Sequence, residues 1–203
     1  MREELSVLIQ AEYPIIYVIT HEEDRAEQEV YRLVQKETTQ RRVFTWTVTS
    51  GFVEVDETRS AANHSTVSPE AAIEWVVRHR EEGVYIFKDL HPFLDAPAVT
   101  RWLRDAIATF KVQQQRKTII LVSPIQRVPQ ELGTEVVVLD FALPSMTELT
   151  EVLEKQVVYQ KSHRLSADTK EKLVKAALGL TLDEAQKVYR KAQVMRGRLP
   201  EKE

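Results

Sequence analysis

The chain has 203 residues, 43% hydrophobic and 29% charged, with net charge −3 and a pI near 6.0. That suits one α/β domain with a small appendage and supplies no basic field to draw nucleic acid or acidic membranes. It contains no cysteine, which excludes disulfides, thiolate metal sites and cysteine nucleophiles together and fits a reducing, cytoplasmic compartment.

The opening Met1-Arg2-Glu3-Glu4-Leu5 lacks the apolar stretch of a signal peptide. The longest apolar runs, such as Ile15–Ile19 and Val136–Leu139, fall far short of the roughly 20 residues that cross a bilayer. No membrane span is expected. The charge is uneven: residues 145–203 hold 12 Lys/Arg and 9 Asp/Glu, a weak basic bias that reads as a solvated helical face.

In chain order, β-branched runs predict strands at Pro14–Thr20, Arg42–Val48, Val84–Lys88, Thr118–Val122 and Glu135–Leu139. Most are continuously apolar, the pattern of a parallel sheet buried on both faces. Helical patterns separate them. Glu22–Glu37 carries Ala26, Val30, Leu33 and Val34 on one face, and Ser68-Pro69-Glu70 opens a second helix with Ser68 as N-cap. Asp95–Gln115 carries Val99, Leu103, Ile107 and Phe110. The polar stretch Gly51–Val67 has no period and reads as a loop. The expectation is a five-stranded parallel sheet sandwiched by helices through residue 144.

After Pro144 only helices are expected, at Met146–Gln160, Ala167–Leu178 and Leu182–Met195. Ser166 caps the second, Gly179 ends it, and Thr181 with Glu184 forms a capping box for the third. Residues 145–196 thus read as a helical lid subdomain, and 197–203 as a linker or cut end.

The strand Val84–Phe87 ends in Lys88-Asp89, and an acid at that place holds magnesium in nucleotide hydrolases. Leu90 stands where a catalytic Glu would follow. Asp89 serves equally well as a cap for the loop Leu90–Phe93. Ser123 ends the strand Thr118–Val122 as either a phosphate-sensing tip or a turn residue. The five glycines are Gly51, Gly83, Gly133, Gly179 and Gly197. No two are five apart and none precedes a lysine, so the phosphate-binding loop Gly-x-x-x-x-Gly-Lys-Ser/Thr is absent, and with it the bare amides that cradle phosphates.

His21, Glu22 and Glu23 follow the first strand, and Asp89 and His91 follow the third. Ligands gather at the carboxyl ends of parallel strands, so these residues can converge on a metal or acid–base site if their strands adjoin. Alternatively, Glu22 and Glu23 simply favour a helix N-terminus. Neither Gly-x-Ser-x-Gly nor His-Glu-x-x-His occurs. Arg101, Arg104, Lys111, Arg116 and Lys117 are interrupted by Asp105 and lack an aromatic stacking set, so they read as a solvated helix face.

Six segments occur in order: Tyr13–Val18, Phe44–Gly51, Phe87–Leu94, Ile119–Pro124, Val128–Leu132 and Gly179–Ala185. Together they resemble the N-terminal half, lacking the phosphate loop, of a AAA+ ATPase family encoded in cyanobacteria, other bacteria and some plastid genomes. Asp89-Leu90-His91-Pro92-Phe93-Leu94 is the most distinctive block. The resemblance implies a degenerate AAA-type core with a helical lid, in the cytoplasm or plastid stroma. It further implies a C-terminal AAA+ domain in the same polypeptide that binds Mg-ATP, a homo-oligomeric ring, and a link to photosynthetic inorganic-carbon use.

On that footing the favoured expectation is a non-catalytic domain for assembly, partner binding or regulation of the attached ATPase, with no cofactor and no catalytic residue of its own. Its partner surface is Asp89, Leu90, His91, Pro92 and Phe93, facing an unidentified protein partner. Arg104 and Arg127 are inter-subunit arginine candidates. The alternatives are weak nucleotide binding without hydrolysis, around Glu22, Glu23, Asp89 and Ser123, and a metal-dependent activity at the His21/His91 edge.

Overall fold

The computed structural model describes residues 2–36, 41–56, 60–159 and 166–196. It divides into two compact units, Met1–Phe141 and Ala142–Glu203. In the first, the elements run α1 (Arg2–Gln10), β1 (Ile15–Ile19), α2 (Glu23–Gln35), β2 (Arg42–Thr47), β3 (Gly51–Glu54), α3 (Pro69–Arg78), β4 (Gly83–Lys88), α4 (Pro97–Gln113), β5 (Lys117–Ser123) and β6 (Val136–Asp140). One sheet holds all six strands in the order β3-β2-β4-β5-β1-β6, parallel except for β3.

The continuous apolar strands mark burial on both faces. Ile15, Tyr17, Phe44, Tyr85, Phe87, Ile119 and Leu121 point to one side, against Ile73 and Val76 of α3 and Leu103, Ile107 and Phe110 of α4. Ile16, Val18, Val84, Ile86, Ile120 and Val122 point to the other, against Leu5 and Ile9 of α1 and Ala26, Val30 and Val34 of α2. β4 and β5 are buried at every position. At about 25 cal/mol per Å² of apolar surface removed from water, these two layers carry most of the folding energy.

The structure differs from the sequence-based expectation at three places. Residues 2–10 form a helix whose Leu5, Leu8 and Ile9 enter the core. The supposed loop Gly51–Val67 begins with β3, antiparallel to β2, and closes with a 3-10 turn at His64–Thr66; residues 57–59 lie outside the described residues. The sheet therefore has six strands instead of five. Gly51 makes this hairpin possible: its φ is +72°, and a Cβ there would sit 2.2 Å from the Asn63 carbonyl oxygen. Thr66 seals the return, accepting the Trp46 indole N–H on its carbonyl at 2.6 Å and the Phe52 N–H on Oγ1 at 2.8 Å.

The third difference is at Lys117, which does not lie on a solvated face. It is 1% exposed, and its Nζ donates to the carbonyls of Val76 at 2.9 Å and of His79, closing the C-terminal end of α3. Burial pushes its pKa down to about 8. Its former companions are engaged with carboxylates: Arg101 with Asp105, Lys111 with Glu135, and Arg116 with Glu12.

The second unit comprises α5 (Met146–Tyr159), α6 (Ala167–Ala176) and α7 (Leu182–Arg196) around Leu149, Leu153, Val174, Ala177, Ala185 and Tyr189. Its ends are set by local chemistry. Ser145 and Glu148 form one capping box, Thr181 and Glu184 another, and Ser166 Oγ accepts the Thr169 N–H at 3.2 Å. Gly179, at φ +90°, turns the chain between α6 and α7. Gln160 lies outside the described residues. Among the described residues, no helix is long and apolar enough to cross a membrane.

Candidate functional site

Strand order brings the ends of β4, β5 and β1 side by side, the edge at which parallel α/β sheets hold ligands. A crevice of ≈ 250 Å³ opens there, lined by Thr20, His21, Glu23, Asp89, Val122, Ser123 and Pro124. Three of the four residues singled out for a nucleotide site, Glu23, Asp89 and Ser123, meet in it. Glu22 turns aside: its Oε2 takes the Arg25 guanidinium at 2.8 Å, and Arg25 lies 4.8 Å from the centre of the Phe141 ring.

Asp89 leaves β4 with φ +54°, a left-handed conformation that costs a non-glycine residue about 1 kcal/mol. Its N–H still bonds the Val122 carbonyl at 3.0 Å, so the turn is anchored to β5. The next residue, Leu90, is 1% exposed and packs in the core. The face of the Asp89–Phe93 segment therefore consists of exposed Asp89 and Pro92 with half-buried His91 and Phe93.

Ser123 is buried, with Oγ 2.8 Å from His91 Nδ1 and also donating to the Ile125 carbonyl at 3.0 Å. Asp89 Oδ1 stands 3.7 Å from the same His91 Nδ1. A nucleophilic triad needs the serine and the acid on opposite ring nitrogens. Here both address one nitrogen, so the geometry fixes a loop and does not activate a hydroxyl. His21 lines the crevice and His91 supports its wall, yet no group of three or more His, Cys, Asp or Glu suited to a metal occurs among the described residues.

Only Thr20-His21-Glu22 links β1 to α2, too short a bridge to wrap phosphates. The helix N-terminus that would face an anion carries Glu23 and Asp24 in its first turn. The lysine of this edge comes from the opposite direction. Lys88, closing β4, places Nζ 2.8 Å from Asp24 Oδ1 and 3.0 Å from Glu27 Oε2. Burial disfavours its charge, but the hydrogen bond to Asp24 and the Glu27 carboxylate beside it outweigh that and hold its pKa above the usual lysine value. Glu23 is raised above the usual carboxylate range, chiefly by burial; Lys88 opposes this while Asp89, Asp24 and Glu27 add to it. The crevice is acidic.

The lysine triad escaped the sequence reading. Its one local signal is that Asp24 and Glu27 stand three apart on a helix, hence on one face. Arg127 pairs with Asp95 at 2.5 Å, and its N–H donates to the Tyr17 hydroxyl at 3.2 Å. Arg104 is exposed on α4, in a separate groove with Pro97 and Pro129. Neither arginine lines the crevice.

This sheet order, with ligand-edge loops after β1, β4 and β5, is the AAA+ class of the P-loop NTPase-like fold. Solved structures bear out the class. The chain is similar to the Thermotoga maritima RuvB Holliday junction branch migration motor (TM-score 0.59, 14% identity, 96% of this chain and 61% of that one). It is also similar to domain III of the Thermotoga maritima replication initiation protein DnaA (TM-score 0.58, 10% identity, 100% and 85%). The particular family follows from the sequence: the chain belongs to the SpoVK-like AAA ATPases, matching the N-terminal domain over residues 1–141 and the second domain over residues 147–203. Relatives include the AAA domain-containing protein ycf46 of Trieres chinensis, 31% identical over 193 residues, and that of Guillardia theta, 28% over 191. Each match covers 93% of this chain but only 37% and 36% of the relative, so the chain spans little more than a third of their length.

Proposed function

We propose that this chain is a non-catalytic AAA+-like domain that serves assembly, partner binding or regulation of an AAA+ ATPase attached to it. The observation that carries the reading is the place where phosphates would lie. Three residues replace the phosphate loop there, carboxylates occupy the α2 N-terminus, and Lys88 is committed to Asp24 and Glu27. Each charge-assisted hydrogen bond to a phosphate contributes roughly 1.5–3 kcal/mol. An acidic crevice without them repels what it would have to bind.

The relatives' greater length supports an ATPase domain elsewhere in such a polypeptide, holding the Mg-ATP and assembling the ring. The exposed Asp89 and Pro92, with His91 and Phe93, form the partner surface. The link to photosynthetic inorganic-carbon use rests on the family resemblance to cyanobacterial members alone. Calorimetric titration with Mg-ATP and Mg-ADP to millimolar concentration tests the reading: no saturable heat is expected. Micromolar binding would replace it with the nucleotide-binding alternative.

A further inference from the structure

The two edges of the sheet are finished differently. At one, the chain after β3 returns over it: Asn63 bridges Phe52 in antiparallel fashion, its N–H donating to the Phe52 carbonyl at 2.7 Å. At the other, β6 reads Val136-Val137-Val138-Leu139-Asp140, with its three valines half-buried. It pairs with β1 in unbroken register and carries no proline and no bulge, and its one charge is the terminal Asp140. The Phe141 N–H donates to the Ile19 carbonyl at 3.0 Å, which turns the N–H groups of Val137 and Leu139 toward β1 as well. By strand alternation, the N–H and C=O of Val136, Val138 and Asp140 face away from it.

We propose that β6 joins two copies of this chain in a two-fold dimer, β6 lying antiparallel to β6. The reading goes beyond the role proposed above. The occupant follows from the edges themselves. Asn63 already takes the β3 edge, so the open edge of a second copy is its own β6, and like meets like across a two-fold.

With the axis at Val138, that residue faces its own copy and Val136 faces the second copy's Asp140. All three outward-facing residues then fall at hydrogen-bonded positions together. Charge agrees with this register. Asp140 lands opposite a valine and Glu135 opposite Phe141, while Glu135 is also neutralised by Lys111 at 2.7 Å. Sliding the pair until Asp140 met Asp140 would oppose like charges. A contact of one strand edge is small, so the dimer dissociates on dilution.

Sedimentation velocity on the 203-residue chain, from low to high micromolar concentration, should show a reversible monomer–dimer transition. Hydrogen exchange gives residue resolution. The amides of Val136, Val138 and Asp140 should slow at least about tenfold at high concentration and recover on dilution, while Val137 and Leu139 stay protected throughout. Val138→Pro removes an outward N–H and leaves those bonded to β1 in place, a change an edge strand tolerates although the Val138 side chain packs on the core, and should give a folded monomer. A chain monomeric at every concentration overturns the proposal. So does a dimer that persists in a folded V138P variant, or a Val138 amide whose exchange ignores concentration. If V138P fails to fold, the exchange measurement on the unaltered chain decides.

Discussion

The Lys88 ammonium lies 3.0 Å from the Glu27 carboxylate, and both side chains are almost shut off from water, at 9% and 5% exposure. One closes β4 and the other faces it from α2, so the pair ties a strand end to the helix that follows β1. Lys88→Met should cost about 3 kcal/mol in urea unfolding, because it leaves a buried carboxylate without its lysine. The double variant Lys88→Met, Glu27→Leu should recover most of that loss. The raised lysine pKa fixes the pH behaviour. The contribution is full below the unfolded value of 10.5 and is lost as pH rises through the folded value above it.

Glu23 gives the opposite kind of pH dependence. Its pKa is raised in the fold, first by burial and then by Asp89, Asp24 and Glu27 against the pull of Lys88. The folded state therefore holds a proton that the unfolded chain has released, and stability falls as pH climbs from the unfolded value of 4.5 through the folded one. Glu23→Gln should stabilise the chain at neutral pH by well under about 1 kcal/mol, since the group is partly solvated. That gain should vanish in melts run below the unfolded pKa.

Much of the architecture was legible because it is written locally. The strand cores and the helices of the second unit follow from unbroken apolar runs and from caps such as Ser166 and the Thr181–Glu184 box. Two elements were missed for physical reasons. In α1 the spacing of Leu5, Leu8 and Ile9 is helical but sits among charges at a terminus. β3 is only four residues long and depends on Thr66, 14 residues from Phe52, to satisfy the Phe52 N–H. At the crevice, Asp89, Ser123 and Glu23 could be named because strand ends are where parallel sheets present side chains. That β4, β5 and β1 adjoin could not, nor could the reach of Lys88 to Asp24 across 64 residues.

Gly51 and Gly179 both have positive φ, and their substitution separates two costs. Gly179→Ala meets no atom within 4 Å, so only the left-handed backbone is penalised, by about 1 kcal/mol. Gly51→Ala adds a Cβ 2.2 Å from the Asn63 carbonyl oxygen and 2.7 Å from Thr66 Oγ1. It should cost at least about 2 kcal/mol more than Gly179→Ala, because the β2–β3 hairpin must open to admit it. Chemical denaturation of the two variants side by side checks the difference. Equal losses would mean that the segment at Asn63–Thr66 does not press on the hairpin.

Thr118 offers a gain instead of a loss. It lies in the middle of the sheet on β5, fully buried, and its Oγ1 has no hydrogen-bond partner among the described residues. A hydroxyl taken from water without compensation is penalised, whereas a methyl group of the same shape in that position is favoured by burial. Thr118→Val keeps the β-branched outline and the backbone pairing of Thr118 with Val84. It should raise unfolding stability by about 1 kcal/mol with no change in the denaturant slope. A loss of stability would reveal that the hydroxyl bonds a buried water, and the start of β5 would then be more polar than its neighbours Val84 and Ile119 suggest.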